Sequence, residues 1–372
     1  MSPTERLAKV VDAITGRGST QNPNVLPWNP DCSRFPSREE LPKIPGAPDD
    51  AAWVWGKDDQ IGRLNLLTPS RVKAAAASEI RTGEMVRLDL PANIPKTPAF
   101  GREVFEHKIK PLGSGVGFDD LYTMNTQSGT QWDGFRHFSH IGTKSFYNGA
   151  TASDIDGPSP TTRCSIHHWA MHCIASRAIL LDYKSYAEAH SKDYDPYTSH
   201  AISYTDLVAC GRYQGLDIRP EAAGGQIKPG DILLVRSGFV KRYHELSPEQ
   251  REVAALRTHG DIAWAGLKQE KEVLDWLHDC YFAAVAGDSP TFECWPVDKT
   301  VGEMGRDGTE RKIGYMHQNI LALWGMPLGE MWDLEGVAEV CRREKRWAFF
   351  VTSAPANVVG GVSTHANATA IF

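Results

Sequence analysis

Three short apolar runs limit what this chain can fold into. Residues 176–183 read "SRAILLDY", residues 230–240 read "GDILLVRSGFV" and residues 281–288 read "YFAAVAGD". Each is bounded by turn-forming or polar residues and is too short for a helix buried on all sides, so each reads as a buried strand. Around them lie helical signatures. "LLTPSRVKAAAASEI" opens at Thr68 and Pro69, and "LSPEQREVAALRTH" opens on Ser-Pro with acidic residues before its apolar positions. "LKQEKEVLDWLHDC" puts Val273, Leu274 and Leu277 on one side, with Tyr281 following. "EGVAEVCRREKR" reads as a helix, "EMVRLDLPA" and "WAFFVTSAPA" as strands, and "HQNILALWGM" as a buried element that fits either. The alternation is irregular and several spacings are hairpin-like. The expected fold class is α/β, a single mixed-sheet domain rather than a doubly wound parallel sheet.

No internal repeat or linker divides residues 51–372. Residues 1–50 are rich in proline and polar side chains and read as an extended N-terminal arm. It either lies over the body or a neighbouring subunit, or is a partly disordered tail. The 372 residues are 41% hydrophobic and 23% charged, enough for a substantial core. A net charge of −6 and the lack of a basic, aromatic-laced run argue against nucleic acid as a partner. No stretch of 18 apolar residues predicts a membrane span, and the first 21 residues lack the apolar segment of a secretory signal. Seven scattered cysteines, without a C-x-x-C pair, fit neither a disulfide framework nor a cysteine–zinc site. The expectation is a cytoplasmic protein with a small-molecule substrate.

One segment concentrates polar chemistry: "NTQSGTQWDGFRHFSH", residues 125–140. Gln127, Gln131, Asp133 and His137 have even spacings, so on a strand they share a face. Fully extended, that stretch would be roughly 33 Å long, too long for one site. The chain must bend, and Gly129 and Gly134 are the cheapest places for it. Asp133 can bind a metal or fix a water, and His137 can move a proton near neutral pH. The glutamines offer amide oxygens to a hard cation or N–H groups to an oxyanion. Taken alone, the same residues read equally well as braces of a bent loop. A second segment, "GYMHQNILALWGMPLGEMWDL", brings His317 and Glu330 to either side of a buried element, and these are candidates to complete a His/Asp/Glu/Gln site.

The chain resembles the cyclase family of metal-dependent hydrolases, which includes bacterial kynurenine formamidase and isatin hydrolase. That family is marked by H-x-G-T-H-x-D-x-P-x-H. Here the frame runs from Gln127 to His137, keeping Gly129, Thr130, Asp133 and His137 but with Gln127 and Gln131 for two metal-binding histidines and Phe135 for the proline. "RLNLLTP", "GDILLVRSGF", "AVAGDSPTFECWP" and "SAPANVVGGVSTHANATAIF" extend the likeness over residues 52–372, as a divergent branch. The resemblance implies the swivelling β/β/α type of fold, a homodimer or homotetramer with the site partly at a subunit contact, and hydrolysis of a cyclic or aryl amide, lactam, lactone or ester. It implies metal ligation by Asp133, His317 and Glu330, with Gln127 and Gln131 in the histidine positions, and general acid/base work by His137.

Manganese and zinc are the expected ions. Exchanging two imidazoles for amide oxygens hardens the shell and shifts the choice toward manganese or magnesium. The same exchange fits two alternatives: a metal-independent cyclase or lactonising enzyme, in which the glutamine amides and Thr130 hold an oxyanion, and a catalytically inactive binding or scaffold member of the fold. Trp132, Phe138 and Trp295 are expected to wall a pocket for a cyclic substrate, with Arg236 or Asp288 facing it; Arg236 reads equally as an ion-pair partner. His140 reads as solvent-facing, and His167, His168 and His172 as local packing. "PLGSGVG" lacks the context of a serine nucleophile or a dinucleotide loop.

Overall fold

Leu233, Val285 and Leu328 lie side by side or one strand apart in the middle of a mixed sheet, each shielded from solvent. The computed structural model describes residues 19–258, 260–304 and 309–372. Among the described residues the sheet has nine strands. In chain order they are β1 (Met85–Arg87), β2 (Gln131–Asp133), β3 (Ile174–Leu181), β4 (Ile232–Val235), β5 (Ala284–Gly287), β6 (Leu328–Glu330), β7 (Ala348–Ser353), β8 (Ser363–His365) and β9 (Ala368–Ile371). Their spatial order is β1-β9-β7-β3-β4-β5-β6-β2-β8. The run β3-β4-β5-β6 is parallel, and every other pairing is antiparallel. The parallel middle explains the continuous apolar runs: strands covered on both faces have no need to alternate.

Helices supply the crossovers and covers. They include α1 (Pro69–Glu79), α2 (Tyr183–Ala189), α3 (Tyr204–Tyr213), α4 (Phe239–Glu245), α5 (Pro248–Ala255), α6 (Lys271–Asp279) and α7 (Glu335–Glu344). The Thr68 hydroxyl accepts from Arg71 N at the start of α1, with Pro69 at its first position, as the sequence implies. Ser247 and Gln250 form a reciprocal cap on α5. α6 buries Val273, Leu274, Trp276 and Leu277; it ends at Asp279, so Tyr281 belongs to the turn that follows. The ambiguous "HQNILALWGM" holds a π-helical segment, Gln318–Leu323. "PLGSGVG" is the tip of an exposed hairpin that pairs Glu106–Pro111 with Phe118–Thr123.

Residues 1–18 of the expected arm lie outside the described residues. From residue 19 onward the arm segment rests on the body. Trp28 and Leu41 are buried, Phe35 stacks on Tyr281 with ring centroids 4.6 Å apart, and Tyr281 Oη donates to Pro36 O at 2.6 Å. Arg38 N donates to Asp279 Oδ1 at 2.7 Å, and Arg38 Nε to Asp275 Oδ1 at 2.8 Å.

Two buried devices fasten the carboxyl ends of the parallel strands. Arg236, just after β4, bonds Asp182 Oδ1 after β3 at 2.7 Å and grips Glu335 of α7 with two N–H groups at 2.7 and 2.8 Å. Asp288, just after β5, accepts from Ser237 N and Oγ at 2.6 and 2.7 Å and from Gly238 N at 2.7 Å. Gly238 sits at φ +86°, where a side chain would be strained and would meet Lys184.

The Arg236 network predicts a stability phenotype. Removing one partner of a buried ion pair costs about 3–5 kcal/mol, so Arg236→Ala is expected to lower the unfolding free energy by that much, read as a lower urea midpoint at unchanged slope. A variant as stable as the parent would contradict the bracing role. A second expectation concerns His278, fully buried beside α6's end, whose pKa burial and then the Arg63 charge bring down to about 4. Between pH 6.5 and 4 the unfolded chain takes up this proton first, so stability falls as pH falls through that window, by about 3 kcal/mol. His278→Gln should flatten the loss over the same range; an unchanged pH dependence of the unfolding free energy would refute it.

Candidate metal centre and active site

The pleat and register of three strands gather the polar residues. β2 pairs antiparallel with β6, setting Gln131 opposite Glu330, and with β8, setting Asp133 opposite Ser363. Side chains alternate along a strand, so Gln131 and Asp133 share one face and Trp132 takes the other. Only residues 131–133 are extended. The chain turns before them and again after Gly134, which is why Gln127 and His137 come within reach of Asp133. Gly134 is required for close approach: a Cβ there would stand 2.1 Å from Val362 O, and one on Gly129 would stand 2.9 Å from Ile94 O.

His317, at the start of the π-helical segment, closes the site. One ligand atom each from Asp133, His317 and Glu330 lie within 4.8 Å of one another, all three residues buried. His317 Nε2 is 3.2 Å from Glu330 Oε1 and 3.6 Å from Asp133 Oδ2. Its other nitrogen, Nδ1, is bonded to Glu293 Oε2 at 2.8 Å. Glu293 Oε1 also accepts from Met316 N at 3.1 Å, so this fully buried carboxylate fixes the imidazole from behind. His137 Nε2 stands 3.8 Å from Asp133 Oδ2, on a side chain 23% exposed.

Both glutamines turn amide N–H groups toward carboxylates. Gln127 Nε2 donates to Asp133 Oδ1 and, at 2.8 Å, to Ser363 Oγ. Gln131 Nε2 lies 3.1 Å from Glu330 Oε2, 3.3 Å from Asp133 Oδ1 and 2.9 Å from Gln127 Oε1. Glu330 Oε1 accepts from Phe292 N at 3.0 Å. Two atoms in this cluster, Asp133 Oδ2 and Gln131 Oε1, are buried without a hydrogen-bond partner among the described residues. Orphaned buried acceptors are rare, and two beside an Asp/His/Glu trio fit a cation: both are oxygen donors of the kind a hard divalent ion takes.

The electrostatics follow from crowding. Burial raises the Asp133 carboxyl, but His137 and His317 outweigh it and hold it at about 2. Burial and the Asp133 charge raise Glu330 to about 7, against the pull of His317. Burial lowers His317, yet Glu293, Asp133 and Glu330 together carry it well above the ordinary imidazole range. His137 goes down: burial outweighs Asp133, with His317 and Arg102 adding to the decrease.

The expected pocket residues divide. Phe138 stands beside His317 and Tyr315, with ring centroids 5.6 Å from each. Trp132 does not wall a pocket: it is fully buried on the opposite face, edge-on to Trp169 and Trp332. The Thr130 hydroxyl is spent on backbone, accepting from Leu90 N at 2.9 Å and donating to Met331 O at 2.5 Å, and so holds no oxyanion. Arg236 and Asp288 are likewise committed, to the network and the strand-end cap described above, and neither lines the crevice beside Gln127. His168 and His172 bond to backbone carbonyls, and His140 to Thr143. Sequence reasoning passed over Glu293, Ser363 and Arg102. Glu293 carried a signal, a charge inside the otherwise uncharged run "SPTFECWP". Ser363 and Arg102 had none, because only the sheet register and the loop path bring them near.

The model of the Cyclase family matches residues 86–294, more than half of the chain. That span holds Gln127, Gln131, Asp133, His137 and Glu293. Among solved structures, a protein described as a novel cyclase is 26% identical, is matched over 87% of this chain and 99% of its own, and superposes with a TM-score of 0.70. Isatin hydrolase A from Ralstonia solanacearum is 13% identical over 82% of this chain and 97% of its own, with a TM-score of 0.48. Isatin hydrolase A from Labrenzia aggregata gives 12%, 80%, 96% and 0.47 for the same measures. No curated protein matches. The mixed sheet flanked by helices is the fold of the novel cyclase, and with the family model matching over half its length this chain belongs to the Cyclase family.

Proposed function

We propose that the chain is a hydrolase that opens a cyclic or aryl amide, lactam, lactone or ester. The observation that carries this reading is the buried trio Asp133, His317 and Glu330, with the partnerless Asp133 Oδ2 turned to within 4 Å of both His317 and His137. The trio would hold a divalent cation, of which manganese suits the oxygen-rich donor set best, with zinc and magnesium as the other candidates. Bound there, the ion would lower the pKa of a water and polarise the scissile carbonyl.

This chain's own residues do the rest. Glu293 fixes the His317 ring through Nδ1, leaving Nε2 to face the site. Burial keeps His137 below the ordinary imidazole pKa, so at neutral pH its ring is free to take a proton from water and return it to the leaving group. Phe138 gives the site an apolar wall beside His317. Gln127 and Gln131 replace two imidazoles in the family frame, and the partnerless Gln131 Oε1 is a neutral donor for the cation.

A second reading has one observation in its favour: both glutamines spend N–H donors on Asp133 and Glu330. Such donors would stabilise those carboxylates without a cation, and His137 would then drive a metal-independent ring closure or lactonisation.

The two readings separate on a panel of lactones, lactams and aryl formamides, assayed with and without added manganese. The hydrolase reading expects hydrolysis that chelation removes and manganese restores. Hydrolysis untouched by chelator would favour the second reading, and no turnover under any condition would leave an inactive binding member of the fold. His137→Ala should reduce turnover by about 10²–10⁴-fold at unchanged thermal stability, since the ring makes no bond stronger than its long approach to Asp133; an active variant would remove His137 from the chemistry. Asp133→Asn should lower the metal content of the purified protein, and unchanged occupancy would move Asp133 out of the shell.

A further inference from the structure

Beside Gln127 opens a crevice whose other walls belong to the second hydrophobic cluster of the molecule. Tyr197, Phe239, Tyr243, Trp264 and Met331 line it together with Arg102 and Arg251. Its aromatic rings are locked against one another. Tyr197 stacks on Phe239 at 4.5 Å between centroids, and Phe100 stands edge-on to Trp264 at 5.1 Å. The walls are therefore rigid and apolar, which makes the two guanidinium groups in them conspicuous.

Neither arginine faces a carboxylate among the described residues. Arg102 Nη1 donates to Gln127 O at 2.6 Å, and its guanidinium lies over the Phe100 ring, 5.1 Å from the centroid. Arg251 donates through Nε to Tyr243 O at 2.7 Å and through Nη2 to His244 O at 3.1 Å, and lies over the Tyr243 ring at 4.5 Å. Neutral carbonyls and ring faces orient these side chains; neither makes an ion pair among the described residues, and Arg102 feels a carboxylate only at longer range, where its charge helps to lower Glu330. Elsewhere in this chain Arg38, Arg177, Arg236 and Arg311 are each paired with Asp or Glu, and Arg63 and Arg136, which like Arg102 and Arg251 are held by carbonyls, are sealed in the interior, whereas Arg102 and Arg251 line an opening. Two oriented guanidinium groups without an ion-pair partner, set in an aromatic wall and with N–H groups still to give, form a receptor for a planar anion on a ring.

We propose that this crevice binds the carboxylate of an aromatic or cyclic substrate, with Arg102 and Arg251 reading the charge and the Trp264, Tyr197 and Phe239 wall reading the ring. Arg102 also ties this recognition to the reacting end, because the carbonyl it holds belongs to Gln127, whose side chain touches Asp133. The substrate class is thus narrowed from any cyclic or aryl amide or ester to one carrying an anionic group away from the scissile bond. This narrowing rests on the hydrolase reading above, but the crevice's preference for an anion is measurable without turnover.

The test is a titration of the purified full-length protein with benzoate and with its neutral counterpart benzamide, followed by tryptophan fluorescence. Benzoate should bind at least about tenfold more tightly, the difference expected when one charge-assisted pair is gained. That advantage should shrink as salt is raised, because the guanidiniums are only partly buried. Arg102→Gln and Arg251→Gln should each weaken benzoate by about tenfold or more and leave benzamide unchanged. Arg251→Lys keeps the charge but loses the fork, so it should fall between. Equal affinity for the two ligands, no saturable benzoate binding, or benzoate affinity untouched in both glutamine variants would each overturn the proposal. Intact benzoate selectivity in a protein that turns over nothing would overturn the hydrolase reading alone. A turning-over enzyme with no anion preference would overturn only the present one.

Discussion

Three buried carboxylates, Asp133, Glu293 and Glu330, converge on one imidazole. Bringing that much negative charge out of water is costly, and the structure offsets it with His317, the Phe292 and Met316 amides, and the two glutamine side chains. The arrangement is possible only because β2 lies between β6 and β8 in one register. A slip of one residue would send Asp133 and Gln131 to the face now held by Trp132, and Trp132 into the polar side. Trp132 in turn is pinned by Trp169 and Trp332, and its indole donates to Ser353 Oγ at 2.9 Å. The core therefore fixes the register, and the register fixes the site.

The glutamines give the site a dual character. In the family frame their positions belong to histidines, whose nitrogens are strong donors to zinc. Amide groups are softer in their commitments: one end donates to carboxylates and the other accepts from, or coordinates, a cation. Gln131 shows both possibilities at once, with its nitrogen shared among three acceptors and its oxygen unpartnered. A cation entering here would compete with those N–H groups for Asp133 and Glu330, which favours a hard ion that accepts oxygen ligands and tolerates a looser shell.

Much of this was legible in the sequence, for identifiable reasons. Fully buried strands leave continuous apolar runs, so β3, β4 and β5 announced themselves, and Thr68-Pro69 and Ser247-Pro248 marked helix starts through local capping chemistry. Even spacing put Gln131 and Asp133 on one face. What failed was anything decided by non-local partners. Trp132 looked like a pocket wall because aromatic residues flank sites, yet the pleat turns it to the core. Arg236 and Asp288 stand at strand ends where substrates are often met, but their partners Asp182, Glu335, Ser237 and Gly238 absorb their hydrogen bonds. The π-helical segment could not be separated from a strand, since five consecutive buried residues, Asn319 to Leu323, carry no period of their own. Gly129 and Gly134 were assigned to bends: Gly129 lies in one and Gly134 opens the turn to His137, and both also sit where backbone carbonyls pass too close for a side chain.

The most direct measurement of the central claim is an anomalous-scattering map from crystals of the protein grown with manganese. The account predicts a peak in coordinating contact with Asp133 Oδ2, His317 Nε2 and Glu330, with the Gln131 amide turned oxygen-first. A map with no peak in that space, and Gln127 and Gln131 still donating to the two carboxylates, would contradict it.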